Sequence, residues 1–384
     1  MKAKVQKPTD RVLFSAVMIL IMIGILMIYS SSSFWGEDKY DNAWLYVRNH
    51  GIRVALGLIM LFLASRIDYH VYRPFMPVLM LGVFILLVIV LFAPEFHGAN
   101  RSLELFGKRF QPSEFMKLVM IFYLSGVFAR QLDSGKPYSN AVFIHYGVLL
   151  AAVALIFMEP DLGSALVLYG VGFSIFFLAG VSWGQMAKMI WGIAPVFLLG
   201  MVLFPYQKKR VMDWINALLE KGELSYQVKQ SLIGLANGGM TGVGYGEGRQ
   251  KYLFLPEPFS DFIISHVGEE LGFIGLMFIF ALILLILWRG FRIAMNAPDR
   301  FGFLLAGGIT SMILINALIN AGVVLNLLPT TGLTFPFISY GGSSLLVQLI
   351  GVGILLNISQ KVDVPFREFT RERSHTTQHV PGMV

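Results

Sequence analysis

The chain turns apolar again and again for about 20 residues at a stretch, the length an α-helix needs to cross the hydrocarbon of a bilayer. Ten such runs are read at 12–31, 51–66, 75–93, 113–130, 141–158, 162–180, 186–204, 262–288, 302–326 and 340–359. In hydrocarbon every backbone polar group has to be satisfied internally, and a helix does this within one segment. The expected fold is therefore an all-α polytopic membrane protein of about ten transmembrane helices, one integral membrane domain over residues 1–384. The first run is too long for the core of a signal peptide and lacks a small-residue cleavage site, so it is read as a retained anchor.

Composition supports this and closes other routes. Hydrophobic residues are 56% and charged residues 14% of the 384, against about 45–50% and about 25% in soluble domains. There is no cysteine, which excludes disulfides, thiolate metal sites and cysteine nucleophiles. The seven histidines never form HExxH, so a zinc hydrolase has little support. The net charge of +7 reads as topology and contact with anionic lipid, not nucleic acid. With both termini in the cytoplasm, the inner segments carry the positive excess, as the positive-inside rule asks.

Residues 205–261 form the long outer segment between the seventh and eighth spans, and 361–384 a cytoplasmic tail expected to be disordered. VMDWINALLEKG and YQVKQSLIGLA have the spacing of helices lying in the membrane interface. NGGMTGVGYGEGRQK follows, glycine-rich from Gly238 to Gly248 and read as irregular backbone. No strand precedes it, and no Walker or Rossmann pattern is present, so no nucleotide is expected.

The costly residues lie at the edges of the spans. LPEPFSDFIISHVGEELGF holds Glu257, Asp261, Glu269 and Glu270, with His266 among them. Carboxylates at membrane depth mark a functional site by default. A helix running on from Asp261 aligns it with Ser265, Gly268, Gly272 and Gly275, a small-residue stripe that permits close packing. Glu269 and Glu270 then lie about 12 Å further in. The competing reading makes Asp261 a plain helix cap, which Ser260 serves equally well.

Three other stretches join it. GANRSLELFGKRFQPSEFMKL offers Arg101 and Arg109 in a loop, Pro112 and Ser113 at a helix start, and Glu114 with Lys117 three residues apart on one face. MEPDLGSAL places Glu159 and Asp161 in a tight turn, a position that acids and glycine favour on local grounds alone. LPTTGLTFPFISYGGSSLL breaks an apolar region with prolines, hydroxyls and Gly341–Gly342, and reads as irregular backbone beside a cavity. Candidate substrate-binding residues are Arg101, Glu114, Lys117, Asp161, Lys251, Glu269, Glu270, Ser339 and Ser343.

LPEPFSDFIISHVGEELG, QPSEFMKL, PDLGSAL and PTTGLTFPFISYGGSSL resemble the signature segments of the SEDS family (shape, elongation, division and sporulation), over essentially the whole chain to Asn357. GANR, QKYLFLPEP and LTFPFISYGG are closer to the FtsW branch than to RodA. The resemblance implies a peptidoglycan glycosyltransferase of the bacterial inner membrane that polymerises lipid II on the outer face, at the septum. It implies a class B penicillin-binding protein as partner, together with other division or elongation proteins.

The resemblance makes Asp261 the catalytic residue, as general base or as ligand to a divalent cation (Mg or Mn). It also implies roles for Arg101, Lys117 with Glu114, and Asp161. A solvated Asp, with a pKa of about 3.9, is a poor base, so the base role needs that value raised, with Glu257 as one source. Ser102 stands where the family commonly has Trp. Two readings from other classes compete: a lipid II flippase, which would place its charges at the midplane of repeated halves, and a non-catalytic division scaffold. Charges gathered towards the outer side and the lack of an internal repeat favour the enzyme.

Overall fold

All ten apolar runs fold as helices. The computed structural model describes residues 9–93, 101–105, 108–135, 138, 140–219, 222–252 and 259–361. In chain order the helices are α1 (Arg11–Tyr40), α2 (Leu45–Arg66), α3 (Tyr72–Leu91), α4 (Pro112–Asp133), α5 (Val142–Met158), α6 (Leu162–Leu178), α7 (Trp183–Leu203), α8 (Pro205–Leu218), α9 (Tyr226–Gly238), α10 (Ile263–Met295), α11 (Arg300–Val324) and α12 (Ser343–Ser359). Among the described residues seven are long and apolar enough to cross a membrane: α1, α2, α3 with the short helical turn before it, α4, α7, α10 and α11. The other three, α5, α6 and α12, are apolar but only 17 residues long. At 1.5 Å per residue they reach about 26 Å, just short of a typical hydrocarbon core of about 30 Å.

The two interfacial helices read from the sequence are α8 and α9, with α8 beginning at Pro205, six residues earlier than the amphipathic pattern suggested. Proline suits the first turn because its missing N–H has no partner to lose there. A short antiparallel hairpin, β1 (Leu103–Leu105) with β2 (Lys108–Phe110), precedes α4 and was not foreseen.

Helices pack where glycine removes a side chain. A Cβ on Gly353 of α12 would sit 2.4 Å from the Leu61 carbonyl of α2, and one on Gly290 of α10 would sit 2.3 Å from the Thr310 hydroxyl of α11. Helices α4 and α11 form the buried middle, and α7 lies at the periphery. One end of the bundle, where α4, α6, α10 and α12 begin, carries the candidate site. The opposite end is tied by Asp10 to Arg289 at 2.5 Å and by Asp299, which caps α11 and receives Tyr69 and His70.

The helix does not run on from Asp261: it begins at Ile263 and is broken at Gly272, whose φ of 67° and ψ of −168° suit glycine alone. The carbonyls released by the break are taken up by the glycine-rich loop. Val243 N–H donates to Glu269 O at 3.0 Å and Gly244 N–H to Glu270 O at 3.1 Å, while Phe273 N–H donates to Gly239 O at 2.9 Å. A Cβ on Gly238 would lie 1.9 Å from Gly268 O, and one on Gly272 would lie 2.2 Å from Gly242 N. The small residues thus admit this loop against α10, and Asp261 heads no continuous stripe.

Candidate active site

The segment from Leu325 to Gly342 contains no helix or strand among its described residues, yet much of it is buried. Irregular backbone at that depth needs partners, and it has them. Phe335 N–H donates to Ser339 Oγ at 2.8 Å, Phe337 N–H to Gln348 Oε1 at 3.1 Å, and Tyr340 N–H to Phe259 O at 2.9 Å. From α8, Arg210 donates to Thr330 O at 3.2 Å. This segment forms a rigid floor.

Asp261 is held on that floor. The Asn320 side chain of α11 donates one hydrogen bond to Asp261 O at 2.8 Å and another to Leu333 O at 2.7 Å. Ser260 Oγ donates to Asp261 Oδ1 at 2.8 Å. Phe262, not Asp261, occupies the N-cap position of α10, and its own side chain makes no capping hydrogen bond. Asp261 is partly exposed while Phe259, Phe262 and Ile263 beside it are buried, so the carboxylate sits at the surface of a fixed scaffold.

Arg101 comes to it from the loop before the hairpin. A Cβ on Gly332, where φ is +75°, would lie 3.5 Å from both Arg101 Nη1 and Asp261 Oδ2. The cation and the carboxylate are thus no more than twice that apart, across a residue that is backbone only. Glycine there both adopts the left-handed conformation and leaves the gap open.

Behind Arg101 lies the turn between α5 and α6. Asp161 caps α6, accepting from Ser164 N–H at 3.0 Å, and its second oxygen accepts from the Gln111 amide at 2.9 Å. Gln111 N–H in turn donates to Ser343 Oγ at 3.0 Å. Glu159 is fully buried, with no hydrogen bond to either carboxylate oxygen. Burial, reinforced by the nearby Asp161 charge and only partly opposed by Arg101, pushes its pKa up to about 9. It is a neutral acid at pH 7.

The other expected residues divide. Lys117 and Glu114 form a buried ion pair at 2.6 Å on α4. Ser339 is committed to the Phe335 backbone. Glu269, Glu270 and Lys251 form a separate cluster. Glu269 accepts from the N–H groups of Arg249 and Gln250 at 2.9 and 3.2 Å. Glu270 meets Ser30 at 2.6 Å, His266 at 3.2 Å and Lys251 at 3.4 Å. These acids bind the glycine-rich loop to α1 and α10. The Arg109 side chain is exposed. Glu257, residues 98–100 of the GANR motif and the tail from 362 lie outside the described residues. Sequence reasoning missed Asn320 and Gln111. Asn320 had a visible signal, an amide inside an apolar run.

No group of three or more His, Cys, Asp or Glu side chains arranged to hold a metal occurs among the described residues. Asp261 offers one carboxylate, which suits a Mg2+ whose remaining ligands are phosphates and water.

This arrangement has relatives. The family model described as "Cell cycle protein", FtsW/RodA/SpoVE, matches residues 10–363. The chain belongs to this family. It is 37% identical over 356 residues to stage V sporulation protein E of Bacillus subtilis, covering 91% of this chain and 97% of that protein. It is 38% identical over 358 residues to a probable peptidoglycan glycosyltransferase FtsW of Geobacter metallireducens, covering 92% and 95%. Among solved structures it resembles a chain from a study of how a peptidoglycan synthase complex coordinates polymerization and crosslinking. The TM-score is 0.74 at 25% identity, over 91% of this chain and 97% of that one. The crystal structure of the rod shape determining protein RodA of Thermus thermophilus shares the fold, with a TM-score of 0.69 at 24% identity over 93% and 98%. As a member of this family, with its many apolar helices, the chain is a multi-pass membrane protein.

Proposed function

We propose that Asp261 is the general base of a glycan-polymerising reaction on lipid II, with Arg101 facing the pyrophosphate that leaves. The chain is a peptidoglycan glycosyltransferase. In this reading the hydroxyl of the acceptor sugar gives its proton to Asp261 as its oxygen attacks the anomeric carbon of the donor. The glycosyl–phosphate bond breaks, and the bonding pair departs on the lipid pyrophosphate. Arg101 places fixed positive charge where that negative charge gathers, which is the largest electrostatic need of the step. Asn320 holds the Asp261 backbone so that the carboxylate need not be ordered during the reaction. A divalent cation would be held by the Asp261 carboxylate and would supply Lewis-acid stabilisation of the departing negative charge.

The observation that supports this reading is the convergence of Asp261 and Arg101 on Gly332, on a buried irregular segment. Ten crossings with both termini in the cytoplasm would put this end outward, where the family resemblance expects lipid II. A division-site role and a single-span class B penicillin-binding protein partner follow from the FtsW likeness.

The test is polymerisation of purified lipid II by the wild type and by Asp261→Asn, each reconstituted with the partner transpeptidase, with and without Mg2+. Loss of polymer with lipid II binding retained supports the base role. Undiminished polymer from the Asn variant sinks it. Wild-type activity that vanishes with a chelator and returns with Mg2+ moves Asp261 to the metal-ligand role.

A further inference from the structure

At the end of the bundle opposite Asp261, the start of α1 and the ends of α2 and α12 surround a cavity of about 780 Å3. Its polar wall is mostly committed. Asn357 accepts from Tyr69 N–H at 3.1 Å and donates to Ser65 O at 2.9 Å, and Gln360 donates to Thr9 at 3.1 Å. Asp68 is neutralised by Lys361 and His70. Two guanidinium groups remain. Arg11 and Arg66 line the cavity with no carboxylate partner among the described residues, since the adjacent Asp10 is bound to Arg289. Arg66 lies over the Phe62 ring, 4.8 Å from its centroid. Two like charges on one concave wall repel unless an anion sits between them.

The rest of the wall is apolar. Phe14 and Phe62 line the same cavity and are 39% and 55% exposed on helices that are candidate spans. The cavity therefore joins two guanidinium groups to exposed aromatic rings on helices that lipid tails would cover. That combination fits an amphiphile with a phosphate head.

We propose that this cavity binds the phosphodiester headgroup of an anionic phospholipid, with Arg11 and Arg66 on the phosphate and Phe14 and Phe62 beside the acyl chain. The chemistry read is a phosphate monoanion attached to hydrocarbon. The site is independent of Asp261 and of the polymerisation mechanism.

The test uses the full chain purified in a non-ionic detergent. Binding of phosphatidylglycerol, of phosphatidylcholine with the same chains, and of inorganic phosphate is measured by native mass spectrometry and by thermal shift. Two surface-proximal cationic contacts support a preference for phosphatidylglycerol over phosphatidylcholine of about 30-fold, lost in the double variant Arg11→Gln/Arg66→Gln. Arg292→Gln, an exposed arginine at the same end of the bundle, should keep the preference within about twofold of the wild type. Equal binding of the two lipids by the wild type overturns the proposal, as does an equal loss in Arg292→Gln, which would mean bulk charge alone. Binding of inorganic phosphate as tight as phosphatidylglycerol would overturn the lipid assignment in favour of a soluble anion. Wild-type polymerisation rates in the double variant, measured on lipid II without phosphatidylglycerol, establish that it is folded.

Discussion

Replacing Glu159 by Gln should stabilise this protein and flatten its response to pH. In the unfolded chain the carboxyl has its ordinary value of 4.5, and in the fold burial pushes it up to about 9. Between those values the native state holds one proton more than the unfolded state, so stability falls as pH rises. The slope from this one group is about 1.4 kcal/mol per pH unit. At pH 7 holding the proton costs about 3 kcal/mol, relative to a side chain that cannot ionise. Glutamine is neutral and nearly the same shape, and Glu159 has no hydrogen bond to lose. Unfolding free energies of the two proteins in mixed micelles, measured from pH 6 to pH 8, should therefore diverge, with the wild type losing about 3 kcal/mol more than the variant. Asp68 does not interfere. Burial alone would raise its pKa, but hydrogen bonds from Lys361 and His70 hold it well below the ordinary 3.8. Its contribution is present above 3.8 and is lost only in stronger acid. Parallel pH curves, or a variant less stable than the wild type, would mean that Glu159 is ionised against Arg101 and that the neutral assignment is wrong.

Other substitutions test separate parts of the fold. Lys117→Met strands the buried Glu114 carboxylate and should cost about 3–5 kcal/mol, most of it recovered by adding Glu114→Gln; unchanged stability with a raised KM would instead assign Lys117 to substrate. Gly272→Ala meets a positive φ and a backbone nitrogen 2.2 Å from the new Cβ, and should lose at least about 2 kcal/mol, with faster proteolysis of the loop between α9 and α10. Asn320→Leu removes the donor to the carbonyls of Asp261 and Leu333 and should cost about 1–3 kcal/mol for each bond lost. It should also lower kcat more than it raises KM, because it loosens the position of Asp261 and not the contact with substrate.

The expected residues met different fates because they rest on different physics. Each of the ten apolar runs became a helix, and Asp161 and the Glu114–Lys117 pair behave as local spacing dictates. Local rules stop at about one helical turn. They aligned Asp261 with Gly268 and Gly272, and that alignment failed because the loop from Gly238 to Gly244 competes for the same backbone. Glu269 and Glu270 looked like neighbours of Asp261 along the chain, but their carboxylates are engaged by the loop and by α1. Asn320 stood out as an amide in an apolar run, yet nothing local names its two acceptors.

What the sequence alone determined is the membrane, the helices and the identity of the costly groups. A 20-residue apolar run has only itself with which to satisfy its backbone in hydrocarbon, and charges near it are too expensive to keep without a role. Which of those charges meet was decided by tertiary structure. Arg101 and Asp261 are 160 positions apart and converge on Gly332, and α11, through Asn320, fixes both the Asp261 backbone and the segment that carries Gly332. Packing between distant elements sets that distance, and no local preference encodes it.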